Sequence, residues 1–354
     1  MASGRDISVA FIREVLWPLL ECRLDRDAER LAVAVIGTGS DVAGLDDDIS
    51  RDHHWGPRAN VMTLPEDGAR LKPRISEILE RELPPTFRGF PVARGVRIMT
   101  GVCTTDLDEF FGYFLGTAAL PQRDVEWLAL CETDLRHVTG GVVVIDGPGE
   151  LTRRREHLAY YPDPVWRKRV ADWCMYLTGR DAPYNLHRVS RRGDGLTGAI
   201  YKALYLKQAM ELTFTLNRRY APYTKWLNRL FRSLPRFAER IAPLVDAIHG
   251  ESDHRRNVFQ MIELNYVFAE AVADLGLARR PQRVPFDEGL TDLTLYDTAA
   301  QIYAGLPADL LAPSFNRTEL WERLARDVLF DTNDYFVQRG RPDFPCSRPG
   351  EPPQ

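Results

Sequence analysis

The sequence predicts an α/β head followed by an all-helical C-terminal domain. Short apolar runs rich in β-branched residues alternate with amphipathic helical patterns up to about residue 150. Beyond that point the apolar residues recur at helical spacing. Between the first two strand patterns lies a stretch of different character. A glycine-containing turn, Gly37-Thr38-Gly39-Ser40, leads into an acidic segment ending in Asp52-His53-His54.

The elements follow in order. Residues 6–30 place Val9, Ile12, Leu16, Leu19 and Leu20 on one helical stripe, with Pro18 expected to bend it. Leu31 to Ile36 is the first strand, and the turn after it should open a helix with Ser40 or Asp41 as N-cap. Ala59 to Leu64 is the second strand, and Pro73 to Leu83 an amphipathic helix with proline in its first turn. Gly95 to Val102 reads as a third strand, Leu107 to Leu115 and Val125 to Leu135 as helices, and Gly141 to Ile145 as a fourth strand ending at Asp146. Helices are then expected over 163–178, 196–219, 223–233, 237–250, 253–275, 293–306 and 318–328. The boundaries this implies are an α/β domain over 1–150, a helical domain over 151–338, and a Pro-, Arg- and Gly-rich disordered tail over 339–354.

Composition narrows the classes. A chain of 354 residues with 44% hydrophobic and 27% charged residues is of soluble-enzyme size and type. A net charge of -4 argues against a nucleic-acid scaffold, where a basic excess is usual. The five cysteines show no paired spacing, which reads as reduced thiols and not as a disulfide framework. No signal peptide or membrane-length apolar run is visible, so a cytoplasmic protein with no membrane partner is expected; the oligomeric state is not legible.

The turn and the acidic segment carry the candidate chemistry. Glycine lets backbone approach an anion closely, and exposed N–H groups at a helix start hold phosphate, so Gly39 and Ser40 are candidate phosphate ligands. Asp52 and His54 stand two apart, so on extended backbone both face one side, as metal ligands or catalytic groups. Arg58 reads either as a bidentate phosphate ligand or as half of a surface salt bridge. Arg192, in the basic stretch 188–194, reads as a triphosphate contact or as a solvated charge. Tyr223 and Lys225 belong to the aromatic-basic knot RRYAPYTKW, whose plain reading is a helix corner pinned by Pro222.

These elements resemble the nucleotidyltransferase superfamily, which shares its fold with polymerase beta and the antibiotic nucleotidyltransferases. Gly39-Ser40 matches that superfamily's Gly-Ser element and Asp52 its first metal aspartate. The longer strings GSDVAGLDDDISRDHHWGPR, LAYYPDPVW and RRYAPYTKW resemble a bacterial family of unknown function with a nucleotidyltransferase-like head, over most of residues 30–235. The resemblance implies transfer of a nucleotidyl group from an NTP to a small-molecule acceptor in the interdomain cleft, with a divalent metal, Mg²⁺ or Mn²⁺. It also implies Lys225, with Tyr223 beside it, for the nucleotide; Arg192, from the basic stretch, joins them as a candidate for the triphosphate or acceptor.

The chain departs from the pattern at two positions. His54 stands where the second acid would be, and Arg97 near the place of the third. Imidazole suits Mn²⁺, Zn²⁺ or Fe²⁺ better than Mg²⁺. Either the metal differs, or an acid comes from elsewhere (Asp106, Asp146 or the run Asp46 to Asp48), or the fold no longer transfers nucleotides. In the last case it is a nucleotide sensor or interaction module, or uses His54 as a general base in other small-molecule chemistry.

Overall fold

The first expected strand, β1 (Leu31–Val35), is buried at all five of its residues. Its odd positions Leu31, Val33 and Val35 enter the main apolar cluster, while Ala32 and Ala34 turn to the opposite face. That burial on both faces explains the continuous apolar run. In the computed structural model, residues 3–51, 55–95, 101–179, 183–284 and 294–311 are described.

The chain divides into two compact units: residues 3–121 with Leu130–Ala159, and Gln122–Ala129 with residues 160–311. The division therefore falls at residue 159, not 150, because helix α8 (Glu150–His157) lies in the first unit. A short helical piece from the middle of the head, Gln122–Ala129, is counted with the second unit. The expected helix over 318–328 and the tail from 339 lie outside the described residues.

In the first unit, α1 (Gly4–Phe11) is opened by a capping box in which Ser3 and Asp6 exchange bonds. It runs through one π-helical turn, Ile12–Leu16, into α2 (Trp17–Leu24). Pro18 brings no N–H and crowds the carbonyl one turn back; the widened turn just before it absorbs that strain. Next come β1, the four-residue α3 (Ser40–Ala43), β2 (Ala59–Thr63) and α4 (Pro65–Glu82). Helix α4 begins eight residues before the expected Pro73, with Pro65 in its first turn. Pro73 is instead inside the helix but exposed, so the carbonyl it cannot bond faces water. A two-plus-two-residue hairpin follows, β3 (Thr86–Phe87) and β4 (Phe90–Pro91), turning at Arg88 and Gly89 with φ of 49° and 83°. The sequence reading missed it.

The third long strand is β5 (Val102–Asp106), not residues 95–102; of those, 96–100 lie outside the described residues. After it come α5 (Leu107–Leu115), α6 (Asp124–Trp127), α7 (Glu132–Thr139), β6 (Val142–Asp146) and α8. The helix expected over 125–135 is thus two helices, broken where the chain leaves the second unit for the first. The sheet order is β5-β2-β1-β6. Strand β1 pairs antiparallel with β2 and β6, and β2 pairs parallel with β5. Side chains of α1, α2 and α4 (Phe11, Leu20, Leu71 and Ile75) close one face of this sheet.

Among its described residues the second unit is helical throughout, as the periodicity predicts. It contains α6, α9 (Asp163–Gly179), α10 (Tyr184–Arg191), α11 (Gly195–Leu216), α12 (Thr224–Phe231), α13 (Ala238–Gly250), α14 (His254–Asp274), α15 (Thr294–Tyr303) and α16 (Ala308–Leu311). Asp194 caps α11 by accepting the Thr197 N–H at 3.0 Å. Tyr205, fully buried, places its hydroxyl 2.8 Å from Asn265 Oδ1 and so joins α11 to α14. No described helix is long and apolar enough to cross a membrane.

Candidate functional site

The Gly37–Ser40 turn leaves the carboxyl end of the internal strand β1 and is held from three sides. Asn60 of β2 donates from Nδ2 to the Ile36 carbonyl at 3.1 Å, and its own carbonyl oxygen accepts from Cys103 Sγ of β5 at 3.0 Å. The Gly37 N–H donates to the His137 carbonyl in α7 at 3.2 Å. The Arg58 guanidinium donates from Nη2 to the Thr38 carbonyl at 2.6 Å.

Arg58 is buried, and its Nε lies 3.2 Å from Oδ2 of the equally buried Asp41 in α3. Burial pushes the Asp41 carboxyl above the usual carboxylate range, against the opposing pull of the Arg58 charge. The backbone between these groups is Gly39, at φ +130°. A Cβ there would stand 2.3 Å from Asp41 Oδ1 and 3.1 Å from Arg58 Nη1, so glycine is required by space as well as by conformation. Gly39, not Ser40 or Asp41, is the N-cap of α3, and no side chain caps it. Ser40 is half-buried in the first turn. The sequence left a surface salt bridge open for Arg58; the structure shows a buried one instead, with the guanidinium turned inward beneath the turn.

The acidic segment is anchored by the N-terminal helix. Asp46 Oδ2 accepts from the Gly4 N–H at 2.7 Å and from the Trp55 indole at 2.8 Å. Trp55 also packs edge-on against Phe90 of the hairpin, with ring centroids 4.9 Å apart. Asp47 Oδ1 accepts the Ser50 N–H at 3.0 Å. Asp52, His53 and His54 lie outside the described residues, as does Arg97.

Strand register decides the two distant candidates for a further acid. Ala59 pairs with Val102 and Thr63 with Asp106, while Val35 pairs with Val142 and Ala32 with Asp146. The turn follows Val35, at the end of the sheet where β2 and β5 begin. Asp106 and Asp146 therefore sit at the opposite end, on the order of 10–13 Å away along the strands at roughly 3.3 Å per residue. Both have other tasks there. Asp106 caps α5 by accepting the Glu109 N–H and pairs with Lys72 at 2.9 Å. Asp146 accepts the Thr152 N–H at 2.7 Å at the start of α8. Among the described residues no three His, Cys, Asp or Glu side chains gather to hold a metal.

In the second unit Arg188 and Arg191 lie on the helix α10, and exposed Arg192 is its C-cap. Tyr223 is the N-cap of α12, and exposed Lys225 lies 5.1 Å from the Trp226 ring. Between these two places stands α11, 22 residues from Gly195 to Leu216. Arg192 precedes that helix in the chain and Lys225 follows it. RRYAPYTKW is a corner: Tyr220 packs against Tyr160 and Tyr161 at 5.0 and 5.2 Å.

A family model described as a domain of unknown function, DUF4037, matches residues 127–227. That range runs from α6 into α12 and does not include the Gly37–Ser40 turn. No curated protein matches the chain. Among solved structures the chain is similar to a nucleotidyltransferase-like protein from Exiguobacterium sibiricum 255-15, at 12% identity over 92% of each chain with a TM-score of 0.39.

Proposed function

We propose that the first unit is a nucleotidyltransferase-type head that binds an NTP at the Gly37–Ser40 turn and transfers its nucleotidyl group to a small-molecule acceptor. The observation that carries this reading is the turn itself. Its glycines hold positive φ, at +99° and +130°, and the buried Arg58–Asp41 pair lies beneath it. A preformed bend of that kind is suited to a phosphate chain through backbone N–H groups. In sequence, Asp52 and His54 immediately precede β2, the strand that enters the sheet beside this turn.

In the reaction, the acceptor hydroxyl oxygen bonds to the α-phosphorus, the bond from that phosphorus to the bridging oxygen breaks, and pyrophosphate leaves. The hydroxyl proton passes to a base. A divalent cation, when bound, neutralises the triphosphate and acidifies the attacking hydroxyl. The described side chains alone do not assemble its ligand set, so Asp52 and His54 are the residues assigned to it and no step is routed through it. Within the turn, backbone N–H groups at Gly39 and Ser40 hold and orient the phosphates, and Arg58 holds the turn.

A second reading is a nucleotide sensor on the same fold. The placement of Asp106 and Asp146 at the far end of the sheet favours it, because neither supplies the further acid. Calorimetry of the full chain with each of the four NTPs, in Mg²⁺, in Mn²⁺ and in EDTA, separates the two. Metal-dependent binding with pyrophosphate release on adding candidate acceptors supports the transferase. Metal-independent binding without release supports the sensor, and no heat with any NTP removes both.

A further inference from the structure

Helix α7 ends beside the Gly37–Ser40 turn, and its last carbonyls are all accounted for. An α-helix leaves its final four C=O groups without partners inside the helix. Here the Arg136 carbonyl accepts the Gly140 N–H at 2.7 Å, and the His137 carbonyl accepts the Gly37 N–H at 3.2 Å. The next two go to Arg155 of α8. Its Nε donates to the Val138 carbonyl at 3.1 Å, and its Nη2 to the Thr139 carbonyl at 2.5 Å. The same Nη2 reaches the Gly140 carbonyl at 2.7 Å. One terminal carbonyl of α7 is thus given to the turn, and the guanidinium grips the three that follow it.

This use sets Arg155 apart from its neighbours. Arg153 and Arg154 pair with Glu150 at 2.7 and 2.8 Å, and Arg154 also pairs with Asp108 at 2.7 Å. Half-buried Arg155 makes its bonds to backbone instead, and the Asp146 charge acts on it from farther off. The segment it grips is fitted to the entry of the turn. Gly141 has a φ of +71°, and a Cβ there would stand 2.1 Å from the Val35 carbonyl oxygen and 3.1 Å from Ile36 Cα. Val35 and Ile36 are the two residues just before the turn. The carboxyl end of a helix also carries about half a negative charge. Through the His137 carbonyl that end of α7 stands against the turn, where it would repel an anion. The Arg155 guanidinium lies on the neighbouring carbonyls and offsets it.

We propose that Arg155 is a positioning residue for the Gly37–Ser40 turn, acting through the carboxyl end of α7. It fixes the carbonyls that follow His137, so that the His137 carbonyl keeps its bond to Gly37. It also cancels the negative helix end beside the turn. Arg58 grips the same turn one residue further on, at the Thr38 carbonyl. For its consequence on nucleotide binding the inference rests on the reading of this turn as the phosphate site; for the conformation of the turn it rests on the bonds alone.

The test reads amide hydrogen exchange at Gly37, and NTP affinity by calorimetry, in the full chain. Labelling isoleucine carbonyls with ¹³C and glycine with ¹⁵N picks out Gly37, because Ile36-Gly37 is the only Ile-Gly step in the sequence. The Gly116 N–H, bonded to the Gly112 carbonyl at 3.0 Å in the same unit, is the control. In Arg155→Met the Gly37 amide is expected to exchange about tenfold faster or more with Gly116 unchanged, and NTP affinity to weaken by about the same factor. Arg155→Lys keeps the charge without the planar fork and should fall between parent and Arg155→Met in both. An unchanged Gly37 rate overturns the proposal. So does equal acceleration at both glycines, which reports global stability alone. Faster exchange at Gly37 with unchanged NTP affinity overturns the role in binding. If the parent binds no NTP, the reading of the turn fails, and the Gly37 rate still decides whether Arg155 sets its shape. Should Arg155→Met fail to fold, Arg155→Lys decides on the same two glycines: selective acceleration at Gly37 supports the proposal, and none overturns it.

Discussion

Arg58 and Asp41 form a buried ion pair at 3.2 Å, and the same guanidinium holds the Thr38 carbonyl at 2.6 Å. One side chain just ahead of β2 thereby fixes both the bend after β1 and the short helix that follows it. Removing it strands a carboxyl and a carbonyl in the interior. Arg58→Ala is expected to cost about 3–5 kcal/mol, the usual consequence of breaking one side of a buried pair. Urea denaturation of the two proteins checks this; a loss under about 1 kcal/mol refutes the structural role.

Asp41 sets a pH dependence of unusual sign for a carboxylate. Its folded pKa lies above the unfolded value because burial outweighs Arg58. Between the two values the folded state binds more protons than the unfolded one, so this group's contribution falls as pH rises through that window. The stability difference between parent and Asp41→Asn should therefore move in the variant's favour as pH is raised from 4 toward neutrality. Glu150 gives the opposite sign: hydrogen bonds from Arg153 and Arg154, with burial opposing, hold it down to about 2. Its contribution is present above the ordinary glutamate range near 4.5 and is lost as pH falls toward 2. Parent and Glu150→Gln should converge in stability over that span.

Gly39 tests the turn directly. Alanine there meets both a φ of +130° and a carboxylate oxygen at 2.3 Å. Gly39→Ala should lose about 1–3 kcal/mol in strain, and NTP binding should weaken by a factor of ten or more. If Gly39→Ala binds every NTP as the parent does, the turn is not the phosphate site.

Asp52 separates chemistry from folding. Asp52→Ala is expected to abolish turnover while moving the melting temperature by no more than a degree or two. An unfolded Asp52→Ala together with a folded, fully active His54→Ala would remove both residues from the site.

Much of the fold is legible in the sequence, and the exceptions share a cause. Strand β1 and helices α13 and α14 announce themselves because their burial pattern matches an apolar run or a 3.6-residue stripe. Strand β5 does not, because Val102-Cys-Thr-Thr-Asp106 is polar at its end while the apolar residues lie just before it. Its parallel pairing with β2 is a long-range fact that no local pattern encodes. For Arg58 the residue was legible but its task was not: the choice between anion ligand and interior tie depends on Asp41, placed beneath the turn by tertiary packing.

Asn217 illustrates how a polar residue at a helix end is absorbed by structure. At the C-cap of α11 its amide nitrogen donates to the Thr213 carbonyl at 2.8 Å and to the Arg236 carbonyl at 2.9 Å. Its amide oxygen accepts the Arg236 N–H at 3.0 Å. The side chain thus makes a two-way clasp between the end of α11 and the turn that enters α13. An aspartate of the same shape keeps the acceptor but loses the two donors, leaving carboxylate oxygen against carbonyl oxygen. Asn217→Asp should therefore destabilise at least as much as Asn217→Ala, each by about 1–3 kcal/mol. The ordering is diagnostic. If the aspartate variant is as stable as the parent, the donor half of the clasp contributes nothing, and the join between α11 and α13 rests on apolar packing alone.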